Sequence, residues 1–309
     1  MPLVSIVVIT YNSSRTIIKT LESIKKQTYN NIELLISDDC STDETTEIVS
    51  NWLKSFGSVF MKAKLISTTL NTGISANLNR GVRETSGEWI KTIAGDDTLE
   101  PNAIEEYISF VNKCSENVNM CVCDVNCFSE EAFVPQSLIK EYENYFKLEK
   151  QPLEAQYVQI LQENIFVGPT FFYTKKLYDL IGGFSNEYGN GEEWPFVYKV
   201  LKSGNRIYAV DKKLVNYRFS LSSLSHNRDN DGLRNKNLEL SSCKFFFDYP
   251  FRDLLKERRY LLAWDRFLYY KTRQLYYENN GIRWFKILMK LSRILSPNAC
   301  LLWIKNKFK

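Results

Sequence analysis

An α/β fold, with a mostly parallel sheet flanked by helices on both faces, is what the N-terminal part of the chain predicts. Apolar, β-branched runs of strand length recur, and they are continuous rather than alternating, as in strands covered on both faces. Between them lie stretches with helical spacing of apolar residues. Each strand-like run ends in a polar cluster, in turn TYN, DDCSTD, NTG and GDD. Ligands of such sheets bind beyond the carboxyl ends of the strands, so these clusters point at one rim.

The elements follow in order. Leu3 to Ile9 is the first strand, and Thr10-Tyr11-Asn12-Ser13-Ser14 turns into a helix with Ile17, Ile18, Leu21 and Ile24 on one face. Ile32 to Ser37 is a second buried strand. Ser41 and Glu44 have the spacing of a capping box ahead of a helix carrying Ile48, Val49, Trp52, Leu53 and Phe56. Lys64 to Ser67 is a third strand, and Asn71-Thr72-Gly73 leads into a helix with Ile74, Leu78 and Val82. Trp89 to Ile93 is the fourth strand, delivering Asp96 and Asp97. Beyond residue 102 come a helix with Ile104, Tyr107, Ile108 and Val111 and a strand around Met120 to Asp124. Residues 129–165 read as a helical insertion, Phe166 to Thr174 as a strand, and Leu177 to Ile181 as a helix closed by Gly182-Gly183. Residues 1–100 and 101–226 then form two halves of a main domain, and 227–309 a helical region with a basic amphipathic tail.

The 309 residues, 44% hydrophobic and 25% charged, are an ordinary globular composition. Net charge is +4, but residues 282–309 hold seven Lys or Arg and no acid, leaving 33 basic against 36 acidic residues elsewhere. No basic motif in the body fits nucleic acid, so no nucleic-acid partner is expected. The first residues have no basic leader or small-residue cleavage site, and seven cysteines are an odd number, which together favour reduced thiols in a cytosolic setting. Cys121, Cys123 and Cys127 lack zinc-knuckle spacing and read as small buried residues.

Asp96 and Asp97 are the chemical centre. Adjacent side chains leave an extended chain on opposite sides, so one acid can take a divalent cation while the other meets a ligand hydroxyl. Mg²⁺ and Mn²⁺ favour one or two carboxylates with phosphate oxygens and water completing the shell, which suits a metal-bound diphosphate. Tyr11 offers a face to a planar base, Asp39 can accept from a base N–H, and Asp96 can bind ribose hydroxyls. Each also has a plainer role as a turn or cap residue. No GxGxxG follows the first strand and no GxxxxGK[ST] occurs, so neither dinucleotide nor P-loop chemistry is supported.

VSIVVITYN, ELLISDDCSTDET, NTGISANLNRG, GEWIKTIAGDDTLEP, IGGFSNEYGNGEEWPF and YRF, in that order over roughly the first 220 residues, resemble family 2 glycosyltransferases of the GT-A fold. The resemblance implies a nucleotide sugar, usually a UDP-sugar, as donor, Mn²⁺ or Mg²⁺ as cofactor, and transfer with inversion. It gives Thr10, Tyr11 and Asp39 to the nucleotide, with Asn12 and Asn71 on the same rim, Asp96 to the ribose and Asp97 to the metal. Two positions depart from the family pattern: Ala94 and Gly95 stand where relatives carry another acid, and Leu78 where they carry an arginine.

An inverting transfer needs a carboxylate to take the proton of the attacking hydroxyl. Gly191-Glu192-Glu193-Trp194 supplies it, and the family pattern puts Glu193 first and Glu192 as its neighbour or substitute. The alternative is that both glutamates open a solvated helix. Trp194 is expected either to face an acceptor sugar or to join the core. His226, the single histidine, is a candidate to complete the metal shell, against a plain surface position.

Leu254, Leu261, Leu268 and Leu275 repeat every seven residues without the second seam of a coiled coil, which predicts a helical stripe docked on the main domain. The segment from residue 282 on places Trp284, Phe285, Leu288, Leu291 and Leu295 on one face and Arg283, Lys286, Lys290 and Arg293 on the other. Such a helix lies on an anionic membrane or packs on the protein. The expected protein is therefore a glycosyltransferase peripheral to the inner face of the plasma membrane. It would pass a hexose or N-acetylhexosamine to a glycan or lipid-linked acceptor in bacterial surface polysaccharide (O-antigen or capsule) biosynthesis. A non-catalytic nucleotide-sugar-binding partner and a membrane-surface scaffold are the alternatives. The first would bind nucleotide without transfer, the second vesicles without nucleotide.

Overall fold

A computed structural model describes residues 1–130, 134, 151–189, 191–220, 235–279, 283–294 and 296. Its centre is one eight-stranded sheet, in the order β3-β2-β1-β4-β7-β6-β8-β5. β1 (Val4–Thr10), β2 (Ile32–Asp38), β3 (Lys62–Ser67) and β4 (Trp89–Ala94) are parallel neighbours, with Ile6 opposite Leu34 and Lys91. The near-continuous apolar runs are explained by two cores. Ile6, Val8, Leu34 and Ile36 point to one face and Val7, Leu35 and Ile90 to the other. α1 (Ile17–Lys25), α2 (Thr45–Phe56) and α4 (Ala103–Lys113) cover the first face, and α3 (Ile74–Arg83) the second.

Beyond β4 the sheet turns mixed. β7 (Phe172–Thr174) runs antiparallel to β4, with Lys91 opposite Phe172, and β6 (Met120–Phe128) antiparallel to β7. β8 (Tyr208–Arg218) is parallel to β6, with register shifts on both sides of Asp124, and its end pairs with the two-residue β5 (Thr98–Leu99). The expected strand from Phe166 shortens because Pro169 starts a 3₁₀ turn over Gly168–Thr170. α5 (Leu153–Ile160), α6 (Lys175–Ile181) and α7 (Glu193–Lys202) pack beside it. Gly182, at φ 72°, closes α6 as expected.

Three local expectations fail. Ser41 and Glu44 form no capping box: the Ser41 hydroxyl donates to Asp38, and Asp43 accepts from the Thr45 N–H at 3.0 Å. Ile18 is exposed; Thr20 takes the buried place beside Leu21 and Ile24. The leucine stripe does not lie on one helix. α8 (Lys236–Asp248), α9 (Pro250–Lys256) and α10 (Tyr260–Glu278) are separate, with Arg258 at φ 58° between the last two. Leu254 is buried but Leu261 is 67% exposed, and Ala263, Tyr270 and Tyr276 are what α10 buries. The aromatics of α8 impose this choice, because Phe246 stacks on Tyr270 with ring centroids 4.2 Å apart.

Asp253 on α9 locks these helices to the main domain. Its Oδ2 accepts from the Tyr157 hydroxyl (2.7 Å), the Tyr198 hydroxyl (2.5 Å) and Lys202 Nζ (2.7 Å). Burial pushes its carboxyl up, but the bonds from Lys202, Tyr198 and Tyr157 outweigh it and hold the group below its ordinary value of 3.8. Asp253→Ala is therefore expected to cost about 2–3 kcal/mol at neutral pH, because two hydroxyls and an ammonium lose their acceptor. The contribution is complete above pH 3.8 and fades as pH falls through the folded-state value, so urea titrations of both proteins should converge in acid.

Candidate active site

The rim at the carboxyl ends of β1, β2 and β4 collects the predicted polar clusters. Gly95 N–H donates to the Ile9 carbonyl (2.9 Å) and Thr16 Oγ1 to the Gly95 carbonyl (2.8 Å), binding the turn after β4 to β1 and α1. A Cβ at position 95 would stand 2.9 Å from Thr10 Cγ2 and 3.3 Å from Ile17 Cδ1. That contact is the physical reason no acidic side chain fits there without the neighbours moving.

Asp97 is 1% exposed. Its Oδ1 accepts the Arg218 backbone N–H at 2.8 Å, and Thr20 Oγ1 donates to its carbonyl at 2.7 Å. Oδ2 is buried with no hydrogen-bond partner. Burial, reinforced by the negative charge of Asp96, pushes the Asp97 carboxyl well above the usual range. Burial also raises Asp96, against the pull of the Arg218 guanidinium, whose Nε donates to the Asp96 carbonyl at 2.9 Å. An orphaned anionic oxygen beside a second carboxylate is the environment a hard divalent cation relieves. No cluster of three or more His, Cys, Asp or Glu exists among the described residues, so the donor set is sparse. It fits Mn²⁺ or Mg²⁺ completed by diphosphate oxygens and water. His226 lies outside the described residues.

Around this centre the loops hold one another. Thr10 Oγ1 donates to Asp38 at 2.9 Å, and Asn12, at φ 50°, accepts the Thr42 N–H at 2.8 Å, so both stitch the β1 loop to the β2 loop. Tyr11 is half-exposed and presents its ring at the rim. Asn71 accepts the Gly73 N–H at 3.2 Å. Asp39 is buried and occupied, accepting from Thr72 N–H (2.9 Å), Thr72 Oγ1 (2.6 Å), Gly73 N–H (2.7 Å) and Arg80 Nη2 (2.9 Å). Burial opposes its ionisation, but the bonds from Thr72, Arg80 and Gly73 lower its carboxyl below the ordinary value.

Arg80 was not among the expected site residues. It reaches Asp38 O, Asn77 Oδ1, Asp39 and Thr72 from two residues past Leu78, and so supplies a cation to the rim although position 78 does not. Leu78 is buried in the core. Arg218 and Lys91 were missed as well. Lys91 is fully buried in β4, donating to the carbonyls of Thr92 (3.1 Å), Pro169 and Phe171 (3.4 Å). Burial brings its amine down to about 8. A lone charge inside an apolar strand was the signal available in the sequence.

Glu192 and Glu193 open α7 as the plainer reading had it, but not into solvent. Glu192 is 8% exposed, and burial plus the charge of Glu193 pushes its carboxyl well above the usual range. Glu193 packs on Gly168, where an added Cβ would stand 3.3 Å from Glu193 Cγ. Because Phe172 pairs with Lys91 in antiparallel register, the chain running back from Phe172 toward Gly168 climbs toward the carboxyl end of β4. The second acidic pair therefore stands on the side of the sheet end that carries Asp96 and Asp97. Trp194 does not face the cleft: it is buried, its Nε1–H donates to the Ile160 carbonyl at 2.7 Å, and it packs on Phe245 and Tyr270. It is a core residue and offers no face to an acceptor sugar.

Residues 5–180 match the family described as Glycosyl transferase family 2, more than half of the chain, and the chain belongs to that family. An uncharacterized glycosyltransferase of Haemophilus influenzae is 26% identical over 201 residues, 65% of this chain and 62% of that protein. A Bacillus subtilis relative is 34% identical over 112 residues, but the match takes in only 39% of its length. The Escherichia coli UDP-Glc:alpha-D-GlcNAc-diphosphoundecaprenol beta-1,3-glucosyltransferase WfgD is 27% identical over 228 residues, 73% of this chain and 81% of that one.

Among solved structures, Staphylococcus aureus TarS 1-349 in complex with UDP-GlcNAc superposes with a TM-score of 0.59 at 18% identity, over 94% of this chain and 91% of that one. The mannosyltransferase PcManGT from Pyrobaculum calidifontis, in complex with GDP-Man and Mn²⁺, gives 0.58 at 15% identity, over 99% and 79%. At those identities the likeness concerns the fold, which is GT-A.

Proposed function

We propose that this chain transfers a hexose or N-acetylhexosamine, with inversion, from a UDP-sugar to a glycan or lipid-linked acceptor in surface-polysaccharide assembly. The observation carrying the proposal is the buried, partnerless Asp97 Oδ2 at the end of β4, with Glu192 and Glu193 held near the same end of the sheet. The similarity to WfgD, whose name records a UDP-sugar and a diphosphoundecaprenol acceptor, supports the substrate class.

In this reading Tyr11 packs on the base, Thr10, Asn12, Asp39, Asn71 and Arg80 form the walls of the nucleotide site, and Asp96 binds the ribose. Asp97, whose Oδ2 has no hydrogen-bond partner, would hold Mn²⁺ or Mg²⁺, and such a cation would supply charge neutralisation for the departing diphosphate. The acceptor oxygen attacks the anomeric carbon from the face opposite UDP, the bond from that carbon to the diphosphate oxygen breaks, and the hydroxyl proton passes to Glu193. Burial, reinforced by the neighbouring Glu193, favours a proton on Glu192. Residues 282–309 bring the site to the inner face of the membrane. No described helix is long and apolar enough to cross one.

Thermal-shift measurements with UDP-glucose, UDP-galactose, UDP-GlcNAc and GDP-mannose, with and without Mn²⁺, test the donor. A Mn²⁺-dependent rise in Tm with at least one UDP-sugar, and UDP release on adding a lipid-linked acceptor, are expected. Stabilisation by GDP-mannose alone overturns the donor class, and nucleotide binding without release for any acceptor favours a binding subunit.

A further inference from the structure

Lys91 stands in a strand covered on both faces, where an apolar side chain is the rule and a buried ammonium is costly. Trp89 and Ile93, two residues to either side, belong to the core covered by α4, so Lys91 lies on that face too. Its three hydrogen bonds all go to backbone carbonyls: Thr92 in its own strand, and Pro169 and Phe171 just ahead of β7. Tyr107 of α4 completes the grip. Its hydroxyl donates to the Thr170 carbonyl at 2.9 Å while its ring stacks on Phe172. The successive carbonyls of Pro169, Thr170 and Phe171 are thus held by two buried side chains from one face of the sheet.

On its other side this turn meets α7. Phe171 stacks on Phe196 with ring centroids 5.7 Å apart, and Phe196 lies one helical turn beyond Glu193. Gly168, at the other end of the turn, lies against the Glu193 carboxyl, where an added Cβ would stand 3.4 Å from Oε1. One short turn therefore ties the strand that ends in Asp96 and Asp97 to the first residues of the helix that carries the second acidic pair.

We propose that Lys91, aided by Tyr107, is a positioning residue: by clamping the Gly168–Thr170 turn it sets where the Glu193 carboxylate stands relative to the acids at the end of β4. The inference rests on the reading of Glu193 as the proton acceptor. Misplacing a reacting group by about 1 Å lowers a rate on the order of 10²-fold, so such a clamp acts on turnover without touching substrate. The rival role for the cation is electrostatic: burial and Asp96 raise the Asp97 carboxyl, and Lys91 pulls it down. The two roles differ in what they govern, kcat for the first and the Mn²⁺ requirement for the second.

Crystal structures of the wild type and Lys91→Met test the clamp whatever the substrate. The turn and the Glu193 carboxyl are expected to move by about 1 Å relative to Asp97. A carboxyl left in place overturns the proposal. Tyr107→Phe, which removes one hydrogen bond to the same turn and keeps the ring, takes the place of Lys91→Met should that variant not fold, with the same criterion. Kinetics test the consequence, as UDP release from UDP-glucose, UDP-galactose and UDP-GlcNAc with GlcNAc-diphosphoundecaprenol, the acceptor in WfgD's name. Lys91→Met should lower kcat roughly 10- to 100-fold with donor KM and Mn²⁺ response unchanged, and should cost nothing further in a Glu193→Gln background. Gly168→Ala, which keeps Lys91 and presses on the carboxyl, should lower kcat roughly tenfold. Wild-type kcat with a raised Mn²⁺ requirement in Lys91→Met assigns the cation to Asp97 and overturns the proposal. A carboxyl that moves, in a protein whose Glu193→Gln variant keeps wild-type turnover, leaves the clamp standing and defeats the reading of Glu193 as base.

Discussion

Asp97→Asn is expected to abolish the Mn²⁺ dependence of nucleotide binding and to lower sugar transfer on the order of 10³-fold or more, while leaving the protein folded. The amide keeps the size of the carboxyl and can still accept the Arg218 N–H through its own oxygen, so the turn between β4 and β5 retains its hydrogen bond. What disappears is the negative charge on the buried oxygen, and a metal stabilising leaving-group charge is worth several kcal/mol of barrier. Stability should move the other way from activity. The folded-state value of Asp97 is raised above 3.8, so folding favours the protonated form, and that stability is lost as pH rises through the folded-state value. Without metal, the melting temperature of the wild type should therefore fall with rising pH more steeply than that of Asp97→Asn, and Mn²⁺ should restore the wild type alone. An Asp97→Asn protein that still gains Tm from Mn²⁺ with UDP would assign the metal elsewhere.

Glu193→Gln is expected to reduce kcat by ~10²- to 10⁴-fold, the usual contribution of a positioned base, with the KM for donor and the Mn²⁺ response unchanged. Loss confined to kcat distinguishes a proton acceptor from a residue that merely opens α7. Glu192→Gln should cost less, because burial already favours a proton on that carboxyl. If the larger loss follows Glu192→Gln, the two glutamates exchange roles.

Much of the scaffold was legible because its signals are local. Continuous β-branched runs separated by amphipathic helices can bury their apolar atoms only by layering helices on both faces of a sheet, and the turn clusters after each strand then face one rim. Side-chain partners were less legible. Asp39 reads in the sequence as a free acceptor, yet four donors from the loop after β3 and from α3 occupy it. Arg218 follows Asp97 by more than a hundred residues and reaches it only because β8 ends next to β5. The sevenfold leucine spacing suggested one docked stripe, but the aromatic packing of α8 on Tyr270 rotates α10 and leaves Leu261 outward. Trp194, judged by its neighbours in sequence, was as plausible in the cleft as in the core; three-dimensional packing alone assigns it to the core.

The sequence by itself determined the α/β class, membership of family 2, the strand ends that carry acids and the unusual basic tail, because periodicity, composition and motif order are properties of neighbouring residues. Tertiary structure decided which carboxylate oxygen is left without a donor, that Arg80 and Arg218 reach the rim, and which side of α10 meets solvent. Hydrogen-bond satisfaction and desolvation depend on atoms brought together from distant parts of the chain, and no local pattern encodes them.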